Sequence, residues 1–334
     1  MIALRRVVAV ALLALACVLA VALAFGAYVV AGVRAGAHEP TGRVALAGLD
    51  APVAIAYDAR GIPHVRAATE RDALFAEGYL QGSERLFQID VYRRAIEGTL
   101  AEVFGSGALA HDESARVYDI AGIVHDEFER MSPASRRDVD AFDAGVNAAI
   151  ATRPLPPEFR LLAYRPRAWT ADDSLAEGFA TVIDLTDGWE DIATRAAVLA
   201  SAGPEAANAF FPITDPAYDT PAGGGKPAPT APLPPLRLLA KPARSLSATS
   251  GDAPGDDAVA GLGSNDFVAG SALTATHRAL LANDPHLSLR MPGIWYLVDL
   301  EAPGLHVAGA TLAGVPGVIL GHDEHLAWGA TNGT

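Results

Sequence analysis

A single cysteine, Cys17, occurs in the 334 residues. The chain therefore has no internal disulfide and no zinc-type cysteine spacing. Cys17 also lies inside a hydrophobic leader, which argues against a catalytic thiol. Basic runs are missing as well. Arginine pairs and the scattered Arg237, Lys241 and Arg244 stand against a net charge of −14, a balance unsuited to nucleic acid. No Gly-x-Ser-x-Gly elbow occurs, so a serine hydrolase of the nucleophile-elbow kind has little support. His306, His322 and His325 match no common metal spacing and read as surface or turn histidines. Charged residues make up only 19% and aromatics 7%, while 51% is hydrophobic, enough for a sizeable core.

What is present begins with residues 7–33, 27 positions without a charge, after Arg5-Arg6 and before Arg34. A secretory apolar region runs to about 7–15 residues and a membrane span needs about 20. The stretch is long for a cleaved signal and long enough for a retained anchor. Positive residues ahead of it keep the N-terminus cytoplasmic and send the rest of the chain outside. Ala20-Val21-Ala22 and Ala22-Leu23-Ala24 offer cleavage sites. Residues 1–36 are thus a signal peptide or membrane anchor, and the protein is expected to be exported, either periplasmic or anchored facing outward.

After the leader, residues 53–57 read as a strand, Asp58 to Pro63 as its turn, and His64-Val65-Arg66 as the returning strand. Thr69 with Asp72 forms a capping-box start. A second helix is expected over residues 84–97, ending at Gly98, with Leu86, Ile89, Arg93 and Ile96 along one stripe. Thr170 and Asp173 repeat the capping pattern, opening a helical region interrupted near Gly188. Residues 215–263 turn to Pro, Gly, Ala, Ser and Thr, a composition that buries too little apolar surface to offset its ordering entropy. An insert of that kind within a compact domain fits a removable spacer. Beyond it, residues 279–282, 294–300, 306–310 and 318–320 are short strand candidates between Gly/Pro turns. The continuous apolar run 294–298 suits a strand covered on both faces.

Between spacer and strands stands Gly263-Ser264-Asn265. Such a tripeptide usually marks a turn. It is also what a chain needs in order to cut itself before Ser264 and use the freed serine. A serine hydroxyl needs an adjacent base, and an α-amino group titrating near pH ~8 supplies one at neutral pH.

Several stretches, in order, resemble the penicillin acylase family of the N-terminal nucleophile (Ntn) hydrolases. They are Arg60-Gly61-Ile62-Pro63-His64-Val65, then Gly78-Tyr79-Leu80-Gln81-Gly82-Ser83-Glu84-Arg85-Leu86-Phe87-Gln88-Ile89-Asp90, then Pro156-Pro157-Glu158-Phe159 with Trp169-Thr170. After the spacer come Gly263-Ser264-Asn265, Asn283-Asp284-Pro285-His286, Gly314-Val315-Pro316-Gly317, Gly321-His322-Asp323 and Ala327-Trp328-Gly329-Ala330-Thr331-Asn332. The likeness runs from about residue 42 to the end, the spacer excepted.

The resemblance implies an α+β fold, the Ntn four-layer αββα sandwich of antiparallel sheets between helices, incomplete in this chain. It divides the chain into an α-chain region at 37–214, the spacer at 215–263, and the start of a β-chain at 264–334. It also implies cleavage between Gly263 and Ser264. Ser264 would then be nucleophile and, through its amine, base. His286 would orient that amine, the backbone N–H of Asn332 would donate to the oxyanion, and Asn265 would support the nucleophile. Asp191, or less well Glu190, corresponds to a calcium ligand. No organic cofactor is implied, one structural calcium ion is, and the partners are a small-molecule amide and the protein's own two chains. The chain is expected to be the N-terminal fragment of a precursor, inactive alone. Residues 181–187 would help shape an acyl pocket. The substrates left open are penicillin-type (β-lactam side-chain) amides, N-acyl homoserine lactones and other acylated amines. The alternative is a non-catalytic, membrane-anchored binding protein that retains the fold.

Overall fold

The computed structural model describes residues 2–36, 41–186, 189–211, 264–287 and 290–331. The leader forms one continuous helix, α1 (Ile2–Gly36), whose stretch Ala9–Gly32 has a mean hydropathy of 2.7. At 24 residues it is long and apolar enough to cross a membrane, and side chains such as Leu13 and Leu23 are exposed along it.

Strands β1 (Ala54–Tyr57) and β2 (Pro63–Arg66) form the expected antiparallel hairpin. Asp58 closes its turn by accepting from the N–H groups of Arg60 at 2.8 Å and Ile62 at 2.9 Å. Gly61 supplies the positive φ of 81° that the turn requires.

Helix α2 (Glu70–Glu84) starts as expected, with the Thr69 hydroxyl accepting from Asp72 N–H at 3.1 Å. The reciprocal half of the box does not form. The buried Asp72 carboxylate accepts instead from the N–H groups of Asp50 at 2.9 Å and Ala51 at 3.1 Å, tying down the incoming chain. Glu84 ends α2 rather than opening the next helix. Arg85 leaves helical geometry at φ −128°, so α3 covers Leu86–Glu97, a correction of two residues. Its stripe Leu86, Ile89, Arg93 and Ile96 is buried throughout, and Gly98 caps it in the left-handed region. Arg93 tolerates this because Asp90 and Asp173 pair with it and the Trp169 ring lies 5.3 Å from its guanidinium.

The helical layer continues through α4 (Ala101–Phe104), α5 (Leu109–Tyr118), α6 (Ile120–Arg130), α7 (Pro133–Thr152), α8 (Pro157–Leu161), α9 (Ala171–Thr186) and α10 (Trp189–Phe210). At α9 the other half of a capping box forms: the Asp173 carboxylate accepts from Thr170 N–H at 2.9 Å. Gly203 at φ 87°, followed by Pro204, breaks α10 near its end.

The later strands are β3 (Ser264–Ala269), β4 (Leu280–Pro285), β5 (Trp295–Ala302), β6 (Leu305–Leu312), β7 (Leu320–His322) and β8 (Ala327–Trp328). Six form one sheet in the order β1-β2-β5-β6-β7-β8, and β3-β4 form a second. The expectation of purely antiparallel sheets needs one correction. Strands β2 and β5 pair in parallel, with His64 opposite Asp299 and Val65 opposite Leu300. The helical layer lies between them in sequence, and a long crossover is what parallel pairing demands.

Val65, Leu74, Leu80, Tyr296, Val298 and Leu300 form the core between sheet and helices. Burial along β5 alternates, and Leu297 is 47% exposed, so covering on both faces is not found among the described residues. Its open face carries Asp299, held by His64 at 2.6 Å, and Glu301, paired with Arg66 at 2.8 Å. The described residues thus form a helical layer, a six-stranded sheet and the separate β3–β4 pair.

Helix α7 carries one group that couples this packing to pH. Burial pushes the Asp143 carboxyl up to about 7, and Asp173, Asp140 and Asp172 nearby push it further the same way. Its bond from the Ser174 hydroxyl, which itself accepts from Trp169 Nε1 at 2.8 Å, opposes the shift only in part. A carboxyl raised in the folded state stabilises the fold fully below its unfolded value near ~4, and that contribution is lost as pH rises to about 7. Melting temperatures should therefore fall between pH 5 and pH 8 more steeply for the parent than for Asp143→Asn, whose amide oxygen keeps the Ser174 bond. Parallel melting curves for the two would contradict this.

Candidate active site

Ser264 is the first residue of β3, directly opposite Pro285 in the ladder, so His286 follows one step beyond the pairing. The carbonyl oxygen of Ser264 accepts from Thr331 Oγ1 at 2.9 Å. A second link lies one register further in. The Asn283 side-chain amide donates to the carbonyls of Asn265 at 3.2 Å and Ala330 at 2.9 Å, and its oxygen accepts from Ala330 N–H at 3.3 Å. Three stretches distant in sequence therefore meet at one end of β3: Ser264-Asn265, Asn283 to His286, and Ala330-Thr331.

Each expected residue can be placed against this geometry. Asn265 is exposed and stands opposite Asp284. The recorded partner of His286 is Asp284, whose carboxylate lies 3.1 Å from His286 Nε2. Gly263 and Asn332 lie outside the described residues, although each directly adjoins one that takes part, Ser264 and Thr331. Glu190 and Asp191 fall on the first turn of α10, with their side chains outside the described residues. Among the described residues no group of three or more His, Cys, Asp or Glu side chains gathers to hold a metal ion.

Asn283 and Thr331 were not singled out by sequence reasoning, although both stood within stretches that carried the resemblance. Asn283→Ala removes three hydrogen bonds that are partly open to water, at about 1 kcal/mol each or less. Stability is expected to drop by only about 1–2 kcal/mol. If Ser264 is the reacting residue, turnover by the complete protein should drop tenfold or more, because the end of β3 loses its lateral support. Equal, small losses in both would contradict a positioning role.

A deeper clamp ties helix α2 to the six-stranded sheet. Fully buried Glu77 and Gln81 on α2 reach the loop between β6 and β7. Gln81 Oε1 accepts from Gly314 N–H at 2.7 Å, Glu77 Oε2 accepts from Gly317 N–H at 2.9 Å, and Gln81 Nε2 bridges back to Glu77 at 3.1 Å. Burial raises the Glu77 carboxyl to about 8 despite these donors. The clamped loop leads into β7, which pairs with β6 on one side and β8 on the other. Glu84 at the end of the same helix accepts from the hydroxyls of Tyr57 and Tyr296, both at 2.9 Å. It joins the first hairpin to β5.

The penicillin amidase family matches residues 52–334. The acyl-homoserine lactone acylase QuiP of Pseudomonas aeruginosa is 32% identical over 85% of this chain and 33% of its own length. The penicillin acylase 2 proenzyme of Pseudomonas sp. is 33% identical over 83% of this chain and 35% of its own. A structure of thermostable penicillin G acylase from Alcaligenes faecalis aligns with a TM-score of 0.44 at 26% identity, covering 54% of this chain and 98% of that one. The chain spans about a third of the length of the curated relatives it matches. By the family match and these relatives together, the chain belongs to the penicillin amidase family.

Proposed function

We propose that this chain forms the leading part of an exported acylase that hydrolyses a small-molecule secondary amide through Ser264, freed as an N-terminal residue by self-cleavage after Gly263. The observation that carries the reading is the convergence at Ser264, whose strand start is held by Asn283 and Thr331 from two other family stretches. In the uncut chain the nitrogen of Ser264 is an amide and has no basic lone pair. Once cut, the amine accepts the hydroxyl proton as Oγ attacks the amide carbonyl, and passes it to the leaving amine. Water then releases the acid from the acyl-enzyme.

His286 would orient the amine, with Asp284 holding the imidazole. The N–H of Asn332 would donate to the oxyanion, with Asn265 supporting the nucleophile. One such donor is typically worth ~2.7–4 kcal/mol of barrier. A structural calcium ion with Asp191, or Glu190, among its ligands belongs to the same proposal, and no step runs through it. Residues 215–263 would leave as a spacer.

The relatives named for penicillin and for acyl-homoserine lactones are similar to this chain to nearly the same degree, so both substrate classes belong to the reading. α1 would direct export and stay as an outward-facing anchor. The intact mass of the complete expressed protein tests the reading. Two chains are expected, the second beginning at Ser264. A single persistent chain would favour a non-catalytic, membrane-anchored binding protein.

A further inference from the structure

We infer that the α8 corner of the protein rests on the membrane that α1 enters, with Leu161 and Leu162 set into the interface and Arg160 and Arg165 on anionic lipid headgroups. This rests on the reading of α1 as a retained anchor. Its starting point is a contact at the end of the apolar stretch. Gly32 closes the span Ala9–Gly32, is buried, and abuts Pro157 at the start of α8, where a Cβ added at Gly32 would stand 3.4 Å from the proline Cβ. A span that ends at Gly32 leaves the hydrocarbon there, so what packs on Gly32 lies at headgroup depth. One turn earlier, Tyr28 lines a cleft of about 490 Å³ with Arg153, Phe159, Arg160 and Arg165. A tyrosine at that level is a common interfacial anchor.

The surface presented at that depth suits a lipid boundary. Leu161 is 46% and Leu162 38% exposed, neighbouring apolar side chains just before Ala163, which turns the chain at φ 56°. Arg160 and Arg165 flank them, both exposed and neither in an ion pair among the described residues. In a chain of net charge −14, residues 150–165 carry three arginines against the single acid Glu158, so the local sign is inverted. Apolar side chains beside long cations that keep their heads in water form an interfacial anchor, and anionic lipids in the leaflet that α1 leaves by supply the counter-charge. A soluble acidic partner would meet the same charges, but would not account for their position at the mouth of the span.

The lone cysteine makes the test direct. In a Cys17→Ser background, single spin labels are placed at Leu162→Cys and, as a water-facing reference, at Val117→Cys, a position 83% exposed. The full-length protein is reconstituted into vesicles of equimolar phosphatidylglycerol and phosphatidylcholine. The label at 162 is expected to be more accessible to oxygen than to a water-soluble nickel reagent, and the label at 117 the reverse. Arg160→Gln with Arg165→Gln should lower the docked-to-undocked ratio by about thirty-fold, roughly fivefold per residue. Vesicles of phosphatidylcholine alone should act in the same direction on the parent. Protein that floats with the vesicles while its 162 label stays as wet as the 117 label overturns the docking alone. Protein that does not float at all removes the anchor, and the docking with it.

Discussion

Alanine at Ser264 is expected to leave the complete protein as one uncut chain, with amide hydrolysis reduced on the order of 10⁶-fold, as when other serine nucleophiles are removed. Two losses coincide in this variant. The hydroxyl that attacks substrate is gone, and so is the hydroxyl that would attack the Gly263 carbonyl, so the α-amine is never released. Cysteine at 264 separates the two. A thiol attacks the Gly263 carbonyl well enough to mature the chain, while acylation and deacylation of an amide suffer, so Ser264→Cys should be cut yet nearly inactive. Intact mass and initial rates on the same preparations read both effects. Cleavage together with parental turnover in the alanine variant would remove the mechanism, since both steps are assigned to the Ser264 hydroxyl.

The second large effect concerns stability and lies far from Ser264. Gly145 on α7 and Gly78 on α2 stand at the crossing of the two helices. A Cβ at Gly78 would overlap the Phe142 carbonyl, and one at Gly145 the Phe75 carbonyl. Backbone atoms have no rotamer to change, so the helices must part and open the core around fully buried Phe142 and Phe75. Gly145→Ala is expected to cost about 3 kcal/mol or more, and to lower the melting temperature by about 10 °C. Gly178→Ala is the control. It lies within α9 with nothing within 4 Å of an added Cβ, so it should gain stability by about 0.5–1 kcal/mol.

Local signals were legible in the sequence. The Asp58 turn, the Thr69 cap, the buried stripe of α3 and its stop at Gly98 follow from residue type and spacing, and each is found. Signals that depend on a distant partner were not. Nothing near Asp72 announces that its carboxylate serves Asp50 and Ala51 rather than completing its own box. Glu77 and Gln81 look like polar residues on a helix, and only the loop more than 230 positions later explains their burial. The apolar run 294–298 suggested a strand covered on both faces. Val298 and Tyr296 face the helices, whereas Leu297 and Asp299 share the open side. Ser264 drew notice through the family resemblance of the stretch around it, whereas the amide of Asn283 does its holding across three separate stretches that no local pattern joins.

The side-by-side alignment of β2 with β5 bears on the order of events in the proposed maturation. These strands lie on opposite sides of the bond before Ser264, yet they share one ladder, with His64 opposite Asp299 at a separation of 235 positions. While the backbone is intact, their encounter is an intramolecular search whose entropic cost grows only slowly with loop length. After scission the same encounter would be bimolecular and would depend on dilution. Under the proposed cleavage, assembly of the sheet before the cut is the favoured order, and the two halves would then stay interlocked until the sheet itself unzips.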